Sequence, residues 1–167
     1  MKKYNREFSE NYMPYDLNEQ SIISPLDKLK PLFGPKIKLG VLASGNGSNF
    51  EYIIKSIQNN QLNAEISILI VNNPNCLAIE KAIKYKIPYV VLNHRDCNSR
   101  SEHDMLVLKK LEELSVELVV MAGWMRIVGE EIIKKFERRL INIHPSLLPS
   151  FKGVDAIQQA MDKRVTI

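Results

Sequence analysis

IKLGVLASGNGSNFEYIIKSI, residues 37–57, decides the fold. Ile37 to Ala43 form an apolar run of strand length that ends in Ser-Gly. Small polar residues fill Ser44 to Asn49, with Gly45 and Gly47 among them. Phe50, Ile53, Ile54 and Ile57 then fall at i, i+3, i+4 and i+7, one face of a helix. A buried strand, a tight turn and a helix with one apolar face make the first unit of an α/β layer.

The same alternation continues along the chain. Strands are expected at Ile66–Val71, Tyr89–Leu92, Leu118–Ala122 and Leu140–Ile143. Between them, Leu77, Ile79, Ala82 and Ile83 suggest one helix, Ser99–Leu114 a longer one and Gly129–Phe136 a third. Ser99 with Glu102 has the capping-box spacing. A last helix is expected over Ala156–Met161. Strands separated by helices predict α/β architecture: a Rossmann-like, mostly parallel sheet with helices on both faces. Residues 37–167 form that domain. Residues 1–36 hold four of the eight prolines and no sustained periodicity, so they read as a partly irregular leader. A short helix near Leu26–Leu29 is possible within it.

Composition narrows the function. Apolar residues make up 45% of the 167-residue chain and charged residues 25%, ordinary for a globular domain. The net charge of +4 is spread along the chain without a basic block, so no nucleic-acid partner is implied. No apolar run is long enough to span a membrane as a helix. Two cysteines, Cys76 and Cys97, without CxxC spacing, argue against a disulfide framework or a zinc site. A reducing cytoplasm is the expected compartment.

In parallel α/β sheets, ligands sit at the carboxyl ends of the strands. Three segments follow strands directly: Ser44–Asn49, the Gly123–Val128 turn and Asn142–Pro149. They are expected to meet along one edge of the sheet. In the first, Gly45 and Gly47 permit a tight turn, and the helix that begins near Ser48 or Asn49 turns free amides toward it. That pattern suits a phosphate, and it equally suits a plain strand-to-helix turn. It is neither a Walker A loop nor a dinucleotide fingerprint. The Gly-Lys-Ser/Thr ending is missing. Phe50 stands at the third glycine, and Asn72-Asn73 stands where an acid would hold a ribose.

In the third segment, Asn142 and His144 share one side of an extended chain while Ile143 packs inward. Pro145 keeps His144 extended. A carboxamide and an imidazolium can converge on one oxygen, which a tetrahedral oxyanion requires. The histidine can also move protons. His94, at a strand end, and His103, on an exposed helix face, are expected to be structural and share no metal-ligand spacing. No metal is proposed. Ser146 lacks a nucleophile-elbow frame, so direct attack by a substrate amine fits better than a covalent serine.

On these residues the sequence resembles the phosphoribosylglycinamide formyltransferases, folate-dependent enzymes of purine synthesis. The resemblance runs from about Ile37 to the C-terminus. Ser-Gly-Asn-Gly-Ser-Asn (44–49), Met-Ala-Gly-Trp-Met-Arg-Ile (121–127) and Asn-Ile-His-Pro-Ser-Leu-Leu-Pro (142–149) carry it. It implies transfer of a formyl group from 10-formyltetrahydrofolate to the amine of 5-phosphoribosylglycinamide. It implies that Gly47, Ser48 and Asn49 hold the phosphate. It places folate against Arg100, Met125, Arg126, Ile127, Val128 and Asn142, where Arg100 alternatively reads as a solvated first-turn residue. Asn142 and His144 match the catalytic pair. The family also uses an aspartate on a later loop. Only Asp155 and Asp162 follow His144, and both fit a helix cap or helix surface. The expectation is therefore a C-terminally incomplete member with an unprotected sheet edge near the fifth strand. A non-catalytic phosphate- or folate-binding remnant and a formyltetrahydrofolate hydrolase are the alternatives.

Overall fold

A computed structural model describes residues 34–144, 146, 148–151, 153 and 155–164. Residues 1–33 of the expected leader, and with them the helix expected near Leu26–Leu29, lie outside the described residues. Five strands form one sheet: β1 (Ile37–Ala43), β2 (Ala64–Val71), β3 (Tyr89–Val91), β4 (Leu118–Met121) and β5 (Leu140–Asn142). Their order is β3-β2-β1-β4-β5, and every neighbouring pair is parallel. The helices are α1 (Ser48–Gln58), α2 (Ala78–Tyr85), α3 (Arg100–Glu113), α4 (Glu130–Lys135) and α5 (Ala156–Asp162). Among the described residues no helix is long and apolar enough to cross a membrane.

Alternation along β1 feeds two cores. Leu39, Val41 and Ala43 pack with Phe50 and Ile54 of α1 and Ala78 and Ala82 of α2. Leu42 packs with Val107 and Leu111 of α3 and Ile132 of α4, on the other face. In β2, Ala64, Ile66, Leu69 and Val71 all join the first core, although strict alternation would divide them. A register shift against Leu39/Gly40 explains this: Ile66 pairs with Leu39 and Ile68 with Gly40, so Ser67 is the extra residue.

The elements predicted within the described residues are all present, with ends displaced by one or two residues. β2 starts at Ala64 rather than Ile66, and β3, β4 and β5 each end one residue early. Ser99 caps α3 by accepting from the Glu102 amide at 3.1 Å. The returning Glu102 carboxylate reaches the Asn98 amide instead, at 2.7 Å.

Two sequence expectations are corrected. His103 is fully buried rather than exposed. It sits on the inward face with Val107 and Leu111, and its Nε2–H donates to the Leu92 carbonyl at 2.9 Å. Ile143 does not pack inward; it is 69% exposed. Among the described residues β5 pairs only with β4, and the chain leaves the ladder at Asn142, so no described core residue lies beneath Ile143.

Candidate active site

The strand order places β1, β4 and β5 side by side, so the three motif segments leave neighbouring carboxyl ends. Sheet polarity makes this so: all strands are parallel, and every strand-to-helix turn after them emerges on one edge.

The first turn is tightly held. Gly47 caps α1 at φ 66°, ψ 28°, the left-handed region. A Cβ there would lie 2.7 Å from the Ala78 Cβ and 2.9 Å from its Cα, so only glycine fits. The Gly45 carbonyl accepts from the Ala78 amide at 3.2 Å and the Cys76 thiol at 2.9 Å. Burial pushes the Cys76 thiol upward, which favours its donor form. A Cβ on Gly45 itself would face open space. Ser48 and Asn49 are exposed at the first turn of α1, where helix amides lack intrahelical partners.

Ser44 ties this turn to the next segment. Its amide donates to the Gly123 carbonyl at 3.1 Å, and its Oγ accepts from the Met125 amide at 2.9 Å. Sequence reading missed that role, because a lone serine after a strand carries no distinguishing pattern. Beyond it, Met125 and Ile127 are each 74% exposed. Arg126 is partly buried, and its Nε has no hydrogen-bond partner among the described residues. Val128 packs against the second core.

A cavity of about 450 Å³ joins the second and third segments. Asn142, Ile143 and His144 line one side, and Gly123, Trp124 and Met125 another. Asp155 and Gln158, at the start of α5, complete it. Asn142 and His144 thus border one space, together with Ile143 between them. His144 Nε2 lies 3.3 Å from the Phe151 carbonyl, and its Nδ1 has no described partner. Ser146 donates its hydroxyl to the Ser150 carbonyl at 2.8 Å, which occupies it structurally. Asp155 precedes α5 as a cap by position but makes no side-chain cap bond. Its place in the cavity could not be read from sequence, because the left-handed backbone at Gly153 and at Asp155 itself sets the chain's direction there.

A second cavity, about 310 Å³, links the first segment to the third: Asn49 and Tyr52 of α1 share it with Met121, Ala122 and Ile143. A third, about 350 Å³, contains Ser44, Asn72, Asn73, His94, Arg95, Met125 and Arg126. Met125 lines this third space and the Asn142–His144 cavity, whereas Arg126 lines only the former. His94 is held structurally, with Nδ1 3.0 Å from the Asn72 carbonyl. Arg100 is exposed at the first residue of α3.

Comparison with known proteins gives this geometry a family. The formyl transferase model matches residues 37–166. The trifunctional purine biosynthetic protein adenosine-3 of Gallus gallus is 42% identical over 132 residues. That match takes in 79% of this chain and 13% of the relative, so this chain spans only a small part of that protein. Phosphoribosylglycinamide formyltransferase of Bacillus subtilis (strain 168) is 35% identical over 130 residues, 78% of this chain and 67% of the relative. The crystal structure of phosphoribosylglycinamide formyltransferase from Bacillus halodurans superposes with a TM-score of 0.73 at 38% identity, covering 77% of this chain and 66% of that one. The matched span contains β1 to β5 and all three motif segments: the chain belongs to the formyl transferase family.

Proposed function

We propose that this chain serves formyl transfer from 10-formyltetrahydrofolate to the amine of 5-phosphoribosylglycinamide, a step of de novo purine synthesis. The observation that carries the reading is the shared cavity of Asn142 and His144, walled by the Gly123–Met125 turn. Membership of the formyl transferase family and the names of its relatives support the choice of donor and acceptor.

In this reading, the amides at Ser48 and Asn49, with the Gly47 turn, hold the acceptor's phosphate. The Asn49-lined cavity runs from there toward Ile143, which suits an acceptor with its phosphate at one end and its amine at the other. Met125 and Ile127 give the folate ring apolar surface to cover, with Val128 supporting them from the core. Arg126 and Arg100 offer guanidinium groups to its anionic portion, and Asn142 borders both folate and acceptor. Folate supplies the formyl carbon.

The Asn142 carboxamide and the His144 imidazolium donate to the formyl oxygen as the amine nitrogen attacks and negative charge develops there. His144, its ring held at Nε2 by the Phe151 carbonyl, has Nδ1 available to move a proton to the departing nitrogen. Two free cysteines accord with a reducing cytoplasm.

The test is a spectrophotometric assay of the 167-residue chain with both substrates. Loss of 10-formyltetrahydrofolate that requires the ribonucleotide amine is expected. Formate release without the amine would point to hydrolysis, and tight binding without turnover to a non-catalytic binder.

A further inference from the structure

α3 carries two buried polar side chains that the proposed chemistry does not use. His103 is 0% exposed and Asp104 3% exposed. Burying an imidazole and a carboxylate is costly unless their bonds serve something. Those bonds run outward from α3. Asp104 Oδ2 accepts from the Gly129 amide at 2.8 Å, at the far end of the loop between β4 and α4. Gly129 permits this closeness, since a Cβ there would stand 2.6 Å from the same oxygen. The His103 ring stacks on Trp124 near the loop's start, with centroids 6.0 Å apart and planes 19° from parallel. Its Nε2–H is fixed by the Leu92 carbonyl at 2.9 Å.

Together with Ser44, these two residues fasten the loop on both sides of Met125–Val128. Trp124 in turn is a wall of the Asn142–His144 cavity. Arg100 lies three and four residues before His103 and Asp104, on the same face of α3. A purely packing role would be served by a leucine or phenylalanine. It would not need a carboxylate whose hydrogen bond ends on a loop amide.

We propose that His103 and Asp104 are positioning residues: they set the loop that carries Trp124–Ile127 and so shape formyl-donor binding without touching the donor. The donor's identity rests on the function proposed above; the bracing of the loop does not.

The experiment therefore has two arms. In the kinetic arm, Asp104→Ala raises the KM for 10-formyltetrahydrofolate about tenfold and leaves that for the ribonucleotide within about twofold. Asp104→Asn, whose carbonyl oxygen can still accept from Gly129, stays within about threefold of the parent. In the optical arm, acrylamide quenching reads Trp124, the only tryptophan of the chain. His103→Leu, which fills the space without a ring, raises the quenching constant about twofold, whereas His103→Phe keeps it near the parent value. Thermal melts of all four variants identify those that fold.

A donor KM unchanged in folded Asp104→Ala overturns the proposal, as does Trp124 equally shielded in His103→Leu. A lowered melting midpoint with both KM values unchanged marks a merely structural role and overturns it too. A parent chain with no transfer activity fails the proposed function, and Trp124 quenching then decides the brace by itself.

Discussion

The Ser44–Asn49 turn and the Asn142–His144 segment serve one proposed reaction yet are built in opposite ways. The first follows a strand paired on both sides and is backed by α2, with Gly47 pressed against Ala78. The second follows a three-residue strand paired on one side, and its residues are exposed or half-buried. Binding a phosphate with backbone amides requires a fixed backbone, because the amides cannot move independently of the chain. Polarising an oxygen requires only that two side chains converge, which rotamers can achieve on a looser frame. The difference predicts that the first region spends its sequence on stability and the second on chemistry.

The largest effect is expected where the second region is attacked. His144→Ala should lower kcat by about a thousandfold, and Asn142→Ala by about a hundredfold. Neither should shift the melting midpoint by more than about two degrees, since neither side chain fills the core. Single-turnover rates beside melting curves check this. A lower midpoint with an unchanged rate would make the segment structural and erase the contrast. Gly47→Ala should instead act on stability. Left-handed strain plus the Ala78 clash should cost about 2–4 kcal/mol of folding stability, read as a lower urea midpoint. An unchanged midpoint would show that the turn is not clamped.

The strands and helices were legible because hydrophobic periodicity reports which face is buried. Ile37–Ala43 and the Phe50–Ile57 helix face needed no tertiary information. The extra residue at Ser67 was not legible, because Ala64 to Val71 is apolar enough to hide a change of parity. His103 was misplaced because histidine counts as polar, although its i+4 and i+8 partners Val107 and Leu111 marked the buried face. Ile143 was misplaced for a converse reason: period 2 says which residues share a side, not whether anything covers it. For the candidate site, the sequence carried the segment that puts Asn142 and His144 at one cavity. It did not carry the bonds from Ser44 and Asp104 that hold the intervening loop, since both cross between distant elements.

Ser44→Ala joins the two regions in one measurement. It removes the acceptor for the Met125 amide and should cost about 1 kcal/mol. If the loop depends on the clamped turn, the donor's KM should rise as well, by about threefold. A change in stability alone would mean that the regions are independent.

The smallest effect tests how far the clamp extends behind the turn. Glu51 of α1 pairs with Lys81 of α2 at 2.9 Å and with Lys55 at 3.3 Å, and it accepts from the Tyr85 hydroxyl at 2.9 Å. Lys81, Tyr85 and Lys55 hold its carboxyl down from the ordinary 4.5 to about 2. The folded state therefore binds this proton less readily than the unfolded state. The resulting stabilisation is complete above pH 4.5 and is lost as pH falls toward 2. Glu51→Gln keeps an acceptor for Tyr85 and removes the titration, so the acid limb of stability against pH should flatten. Hydrogen exchange between pH 4.5 and 2 should then show α1 and α2 loosening in the parent chain while β5 is unaffected by the substitution. Equal changes at β5 would mean that the brace between α1 and α2 supports the whole sheet edge, and the division between a clamped binding turn and an independent chemical segment would fall.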